Sequence, residues 1–488
     1  MAIQRNPALK KTVHKVLLIS PQGKITITAE GSRERKLAVP PLGIAYLAAS
    51  LRCAGYIVEI LDCLIEAFDH EQQSGNEILY GLDNQEVFQR IIDSNPDLIG
   101  VSCLFSNRGK EALTICSLAK EAIPGVHVVL GGQHPSGMPE LILNPYVDYI
   151  LQGESDYSFV DLVTSINNDE DLSKIDGIVI KTGTSFFTAP KKRFPDVKKM
   201  PYPAWDLLDM QKYWRIGMAD YEINTREQRK FIIMITSRGC PHSCYFCTSS
   251  MMSGKKYRER EIPDILAEIR VYRERYGIEE VHFWDDNFFA NKNKVKKLLS
   301  IMIEEFPDIR FQTPSGSEIN ALDDEVIGLL AKAGFTKIFL AVESLDSTIQ
   351  KNLIDKKVNL SRIPDLVKKF HRLGMIVEGS FMVGFPGESK EQIDKTFENA
   401  KKYDFDRISI SIVNPLPGTP LYNQCKQENL FYGDFDAQNI RWSNENIQIA
   451  GIERGYLAKM RRKVWLEYME RRIDVVNYET EKSGVFKE

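Results

Sequence analysis

No apolar run in this chain approaches the ~20 residues that a membrane-spanning helix needs. The start, Met1-Ala2-Ile3-Gln4-Arg5-Asn6-Pro7, has no apolar segment of the secretion-signal kind. A net charge of only −4 lacks the basic excess of a wholesale nucleic-acid binder. Repeats and biased tracts are missing too, and 43% hydrophobic with 27% charged residues is a globular composition. Cysteine is scarce: of eight in 488 residues, five (Cys53, Cys63, Cys103, Cys116, Cys425) are dispersed with no disulfide framework. Together these absences predict a cytoplasmic protein of a reducing compartment, without a membrane span or a general affinity for nucleic acid. The length exceeds one ordinary core and predicts two or three domains.

The remaining three cysteines are packed together, in Cys240-Pro241-His242-Ser243-Cys244-Tyr245-Phe246-Cys247, just after the apolar run Phe231-Ile232-Ile233-Met234-Ile235. Thiolates are the usual ligands of iron–sulfur clusters. A C-x3-C-x2-C loop supplies three ligands to a [4Fe–4S] cluster and leaves the fourth iron without one. A small molecule can coordinate such an iron and be reduced there.

Short β-rich apolar runs alternate with helical patterns, the signature of α/β architecture. In the first half, strands are expected at 15–20, 58–62, 98–102, 126–130 and 149–151. Helices are expected at 43–54, 87–94, 109–122, 139–144 and 157–166, making a doubly wound, Rossmann-like parallel sheet. A hairpin follows at 178–188, then a basic, Pro-rich linker stretch at 191–203. A second series of strands begins at Phe231 and continues at 281–284, 310–313, 337–341, 377–382 and 407–412, which predicts a partial (β/α)6 barrel of TIM type. The expected domains are 1–195, a linker 196–226, the barrel 227–428 and a small helical C-terminal region 429–488. Residues 1–12 and the last few are expected to be ragged ends.

Folds of this class place their chemistry in loops at the C-terminal ends of parallel strands. The cysteine loop has that position, as do Trp284-Asp285-Asp286-Asn287-Phe288, Val342-Glu343-Ser344, Gly384-Phe385-Pro386-Gly387-Glu388 and Pro415-Leu416-Pro417-Gly418-Thr419. With Arg238-Gly239 ahead of Cys240, these pieces in this order resemble the radical S-adenosylmethionine (SAM) enzymes. The resemblance implies that Cys240, Cys244 and Cys247 hold the cluster and that SAM chelates the open iron. Phe246 then packs near adenine, Asp285 or Asp286 reaches the methionine amino group, and Glu343 or Ser344 reaches ribose. Ser317 and Glu318, after the third strand, are as consistent with an ordinary loop as with a SAM contact. The implied chemistry is one-electron cleavage of SAM to a 5′-deoxyadenosyl radical in a cavity that excludes water. An external reductant such as flavodoxin or ferredoxin is implied as well. No general acid or base is singled out.

The first domain resembles the cobalamin-binding domains fused to radical SAM barrels. The matching segments are Val39-Pro40-Pro41-Leu42-Gly43-Ile44, Pro96-Asp97-Leu98-Ile99-Gly100-Val101-Ser102, Leu130-Gly131-Gly132-Gln133-His134-Pro135 and Gln152-Gly153-Glu154. Pro41, Leu42, Gly43, Ser102, Cys103, Leu104, Gly131, Gly132, Gln133, His134, Gly153 and Glu154 are thereby expected around the cofactor. Glycines at strand ends admit close approach by a ligand. The D-x-H-x-x-G motif that supplies a histidine to cobalt is absent. The resemblance therefore implies cobalamin without its own base and without a protein ligand on the metal.

The expected function is methylation of an unactivated carbon, or phosphorus, of a small molecule by a cobalamin-dependent radical SAM methyltransferase. A cyclase or rearrangement enzyme with the same cofactors is the first alternative, and a tRNA methylthiotransferase the second. The stretch 456–473, with Leu457, Met460, Val464 and Tyr468 at helical spacing among Arg461, Arg462, Lys463, Arg471 and Arg472, is expected to dock on the barrel.

Overall fold

The computed structural model describes residues 9–27, 33–217, 229–356 and 358–483. The outermost residues expected to be ragged, and 218–226 of the expected linker, lie outside the described residues. The chain divides into two compact units, residues 1–240 with 248–281, and residues 241–247 with 282–488.

The first unit begins with strands β1 (Lys15–Ser20), β2 (Gly23–Thr26), β3 (Ile57–Asp62), β4 (Glu71–Ser74), β5 (Glu77–Tyr80), β6 (Leu98–Ser102), β7 (His127–Gly131), β8 (Tyr149–Leu151), β9 (Ile178–Thr182) and β10 (Ser185–Thr188). A seven-stranded sheet runs in the order β10-β9-β8-β7-β6-β1-β3. Its members from β3 to β8 are parallel, and the hairpin β9–β10 extends the β8 edge antiparallel. Side chains alternate between faces along a strand. Accordingly Val16 and Leu18 enter one core with the helices Leu42–Cys53 and Asp156–Asn167, whereas Leu17 and Ile19 enter another with Asn84–Ser94 and Gly109–Ala122. Both faces are covered, which is why the strands read as unbroken apolar runs.

Two features differ from the sequence expectation here. The segment expected as helix 139–144 is a 3-10 helix, Pro139–Leu143, preceded by a short α-helix, Gln133–Gly137. A further antiparallel sheet, β2-β5-β4, is present. Its strands have four residues each, and β4 (Glu-Gln-Gln-Ser) is exposed throughout, so no alternation marks it.

The described part of the expected linker, residues 196–217, is packed. It carries a 3-10 turn, Trp205–Leu207, and a helix, Met210–Ile216, with Trp205 and Tyr213 buried. The Tyr213 hydroxyl donates to Asp62 at the end of β3. Burial pushes the Asp62 carboxyl up to about 6. The first unit continues with β11 (Phe231–Met234), the antiparallel ribbon β12 (Ser237–Arg238) and β13 (Arg258–Glu259), and the helix Ile262–Tyr276. Next comes β14 (Glu280–Phe283), whose start lies beside β11 through Glu279 N–H donating to Lys230 O at 2.8 Å.

The second unit contains β15 (Arg310–Gln312), β16 (Lys337–Glu343), β17 (Ile376–Val383) and β18 (Arg407–Ile412). Strands β16, β17 and β18 form a parallel sheet, joined to the β15 segment by single parallel bridges at Phe311–Phe335 and Ser317–Leu340. Helices Lys292–Glu305, Asp324–Lys332, Ile363–Arg372 and Lys390–Ala400 intervene. The C-terminal helix, Tyr456–Ser483, docks as its apolar spacing predicts. Leu457, Val464 and Tyr468 are buried, Tyr468 donates to Phe405 O, and Arg461 donates to Ile410 O of β18 at 2.6 Å. Among the described residues no helix is long and apolar enough to cross a membrane.

Candidate active site

Cys240, Cys244 and Cys247 are half-buried, whereas Cys63, Cys103, Cys116 and Cys425 are buried. Burial raises the thiol pKa of all four, with Cys103 and Cys425 pushed up to about 12. A cluster ligand must be a thiolate. Those four side chains are therefore unsuited to the task, and the local triad retains access. The ending of its loop is a tight turn in which Cys247 N–H donates to Cys244 O at 3.0 Å.

The second unit gathers several of the expected residues around this loop. Phe246 packs against Phe385, ring centroids 6.0 Å apart, and with Tyr245 joins an apolar cluster that includes Ile349, Ile354 and Met382. Tyr245 N–H donates to Ile354 O at 3.2 Å and its hydroxyl to Gln424 at 3.0 Å, which seats the loop. His242 pairs with Glu318 at 3.1 Å, and the Asn287 amide donates to the same carboxylate oxygen at 3.1 Å. These contacts hold the Glu318 carboxyl below its ordinary range, His242 being the largest favourable influence. Asp285 is buried but Asp286 is exposed, so the two carboxylates do not share one environment.

Glu343 is held at φ +63°, beside a bulge in the β16–β17 register. A left-handed non-glycine residue of this kind is strained, and such strain concentrates at ligand sites. The Lys356 ammonium secures it, donating to Glu343 at 3.0 Å and to Ala341 O at 2.8 Å. Ser344 is fully buried, with its hydroxyl accepting from Asp346 N–H. In the glycine-rich loop, one oxygen of Glu388 accepts from Gly384 N–H at 2.7 Å and Phe385 N–H at 3.1 Å. The other is buried without a partner, and burial pushes this carboxyl up to about 7.

In the first unit the chain reverses its direction of build-up between β1 and β6, the topological switch point at which open α/β sheets bind ligands. Ser102, Cys103 and Leu104 leave β6 there. The Cys103 side chain turns into the core, contrary to the expectation that it faces a cofactor, because its position continues the buried face of the strand. Leu104 and its neighbour Phe105 are 52% and 53% exposed. His134 is buried, with Nδ1 unpartnered, and burial pushes it down to about 4, keeping the imidazole neutral. Gln133 is half-buried beside it, while Pro41, Leu42 and Gly43 open the helix Leu42–Cys53.

The glycines divide into two kinds. At Gly132 (φ +110°) an added Cβ meets Cys103 O at 2.6 Å, and at Gly153 (φ +66°) it meets Met252 O at 2.9 Å. Chain packing accounts for both. Gly43 has nothing within 4 Å, and Gly131 only Leu151 O at 3.8 Å, so these two remain open to a ligand. Glu154 is engaged by arginines, its carboxylate accepting from Arg258 at 2.8 Å and facing Arg238 at 3.5 Å.

Two family descriptions match the chain: the radical SAM superfamily over residues 234–400 and the B12 binding domain over residues 32–163. An uncharacterized methyltransferase of Pyrococcus horikoshii is 30% identical over 421 residues, covering 86% of this chain and 84% of that protein. The chain belongs to the cobalamin-binding radical SAM methyltransferase family. A cytidylyl-2-hydroxyethylphosphonate methyltransferase of Streptomyces wedmorensis is 27% identical over 472 residues, covering 90% of this chain and 86% of that one. The fold is shared with the radical SAM methyltransferase TsrM of Kitasatospora setae (TM-score 0.67, 18% identity, 85% of this chain and 76% of that one).

A radical SAM methyltransferase of this family works with a [4Fe–4S] cluster, SAM and cobalamin. The residues present fit those groups. Exposed Leu104 and Phe105 offer an apolar surface at the switch point, with the buried, unpartnered Ser106 hydroxyl next in the chain and the unpartnered Nδ1 on His134, whose backbone N–H donates to Cys103 O at 3.2 Å. In the second unit the buried, unpartnered Ser317 hydroxyl offers a further hydrogen bond after β15. Sequence reasoning left His242 and Lys356 unassigned. His242 stands inside the cysteine motif, a usable signal, but nothing local connects Lys356 to Glu343.

Proposed function

We propose that this enzyme methylates an unactivated sp3 carbon, or an sp2 carbon or phosphorus, of a small molecule in the cytoplasm. The observation that carries the reading is the half-buried C-x3-C-x2-C loop in a chain whose buried thiols have raised pKa values. When bound, the cluster with SAM supplies a 5′-deoxyadenosyl radical and methylcobalamin supplies the methyl group. Cys240, Cys244 and Cys247 hold three irons and leave the fourth to SAM.

Phe246, braced by Phe385, forms the apolar wall for adenine. Asp285 or Asp286 receives the methionine ammonium. Glu343, oriented by Lys356, and Ser344 take the ribose hydroxyls. Leu104, Gly43, Gly131 and the 132–134 turn line the corrin side, with Pro41, Leu42, Ser102 and Gly153 around them. Electrons come from an external donor of the flavodoxin or ferredoxin type.

The name of the Streptomyces relative makes cytidylylated phosphonates the first substrates to try. With the true substrate, S-adenosylhomocysteine and 5′-deoxyadenosine rise together. Formation of 5′-deoxyadenosine alone would point to a cyclase or rearrangement enzyme. Cys244→Ala is expected to lose the cluster and all SAM cleavage while keeping the cobalamin spectrum. Loss of cobalamin with the cluster intact contradicts the assignment.

A further inference from the structure

Glu154 and Asp156 follow β8, while Arg238 and Arg258 stand on β12 and β13, before and after the cysteine loop in the chain. In the antiparallel register Arg238 and Arg258 are directly opposite one another. Like charges in that position repel, so the ribbon needs anions between them. Asp156 takes both arms of the Arg238 guanidinium, at 2.7 and 3.2 Å. Glu154 bridges the pair, at 2.8 Å from Arg258 and 3.5 Å from Arg238.

All four side chains are nearly buried, at 12% exposure for each arginine, 8% for Glu154 and 5% for Asp156. The Arg238 guanidinium also lies over the Tyr46 ring, 4.8 Å from its centroid. Arg258 makes two more bonds, to Pro195 O at 2.7 Å and Ser253 O at 2.9 Å. Backbone contacts tighten the arrangement. Glu154 N–H donates to Met252 O at 3.1 Å, and Gly239 (φ +83°) runs so close to Lys256 O that a Cβ would meet it at 2.6 Å.

Two cations and two anions leave the group neutral. Being buried, it is poorly screened, and any imbalance acts at close range. Arg238 is two residues before Cys240, so their Cα atoms are at most ~7 Å apart. We propose that Glu154 and Asp156 are positioning residues that neutralise the Arg238–Arg258 pair and so hold down the reduction potential of the cluster bound at Cys240. Reduction adds an electron, which an unbalanced guanidinium nearby favours. The inference rests on the assignment of Cys240 as a cluster ligand. It gives Glu154 a role in place of the cobalamin contact that its motif implied.

The test is an EPR-monitored redox titration of the anaerobically reconstituted full chain. Glu154→Gln and Asp156→Asn are each expected to shift the cluster midpoint upward. Arg238→Gln is expected to shift it downward. Asp161→Asn, which breaks the exposed pair with Arg193, leaves it in place. Wild-type midpoints in both carboxylate variants, with iron and sulfide intact, overturn the inference. So does a shift of the same sign in Arg238→Gln, which would indicate general loosening. Loss of the cluster from both carboxylate variants overturns it as well, since an electrostatic role leaves the cluster in place. A Cys240→Ala chain that keeps the wild-type cluster signal refutes the ligand assignment itself. A Cys240→Ala chain without a cluster, beside unshifted carboxylate variants, refutes the inference alone.

Discussion

Replacing Gly132 by Ala separates the packing role of the switch-point turn from any direct role in binding. The residue has φ +110°, and its new Cβ would stand 2.6 Å from Cys103 O, 2.9 Å from Cys103 C and 3.2 Å from Leu104 N. All three neighbours are backbone, so no side chain can swing aside. Holding alanine in that conformation costs about 1–3 kcal/mol, and the overlap adds a similar amount if the neighbours stay in place. The sum, about 2–6 kcal/mol, lowers the melting temperature by roughly 5–15 °C in a unit of this size. Relief by movement displaces the turn that carries Leu104, and each 1.4 kcal/mol lost from binding weakens affinity about tenfold.

Cobalamin uptake by absorbance titration, with thermal unfolding alongside, measures both. Gly183→Ala is the control, because its φ is +70° but nothing lies within 4 Å. It is expected to show the strain alone, in stability and not in affinity. Gly131→Ala adds the converse case, with unchanged stability and weakened binding if a ligand approaches that backbone. Equal stability and equal cobalamin affinity in Gly132→Ala and Gly183→Ala would refute the reasoning.

Glu388→Gln probes the raised carboxyl, whose pKa of about 7 against an ordinary 4.5 makes ionisation cost about 3 kcal/mol at 1.36 kcal/mol per pKa unit. The native state binds its proton more tightly than the unfolded chain does. This stability is full below pH 4.5 and is lost as pH rises through about 7. Melting temperatures of wild type should therefore fall relative to Glu388→Gln between pH 5 and 8, and a constant gap rejects the burial argument. Lys356→Met keeps the stem but leaves the Glu343 carboxylate buried and unpaired, a loss of about 3–5 kcal/mol for a broken buried pair. SAM binding measured by equilibrium dialysis should weaken at least tenfold; wild-type affinity would remove Glu343 from the site.

Much of the architecture was legible because it is written locally. The runs at 15–20 and 98–102 are apolar on successive residues, whereas 407–412 alternates isoleucine with polar residues, and they coincide with β1, β6 and β18. The failures have local causes too. The β2-β5-β4 sheet consists of strands too short and polar to show a period, and in the expected linker 196–226 Pro201 and Pro203 mask the buried Trp205 and Tyr213 that follow them. Gly132 and Gly153 have the composition of a ligand loop. Their crowding against Cys103 and Met252 is visible only when distant segments are brought together.

The sequence by itself determined the chemistry of the protein. Three thiols within eight residues are neighbours whatever the rest of the chain does, and the order of the loop motifs follows the order of the strands. Tertiary structure alone decided which charges meet. Glu154 finds Arg258 across 104 residues, and Asp156 finds Arg238 across 82. The pairing of β12 with β13 sets the two arginines opposite each other and makes those carboxylates necessary. Contacts of this sequence separation depend on the topology that brings β8 and the β12–β13 ribbon together, which no local period or spacing encodes.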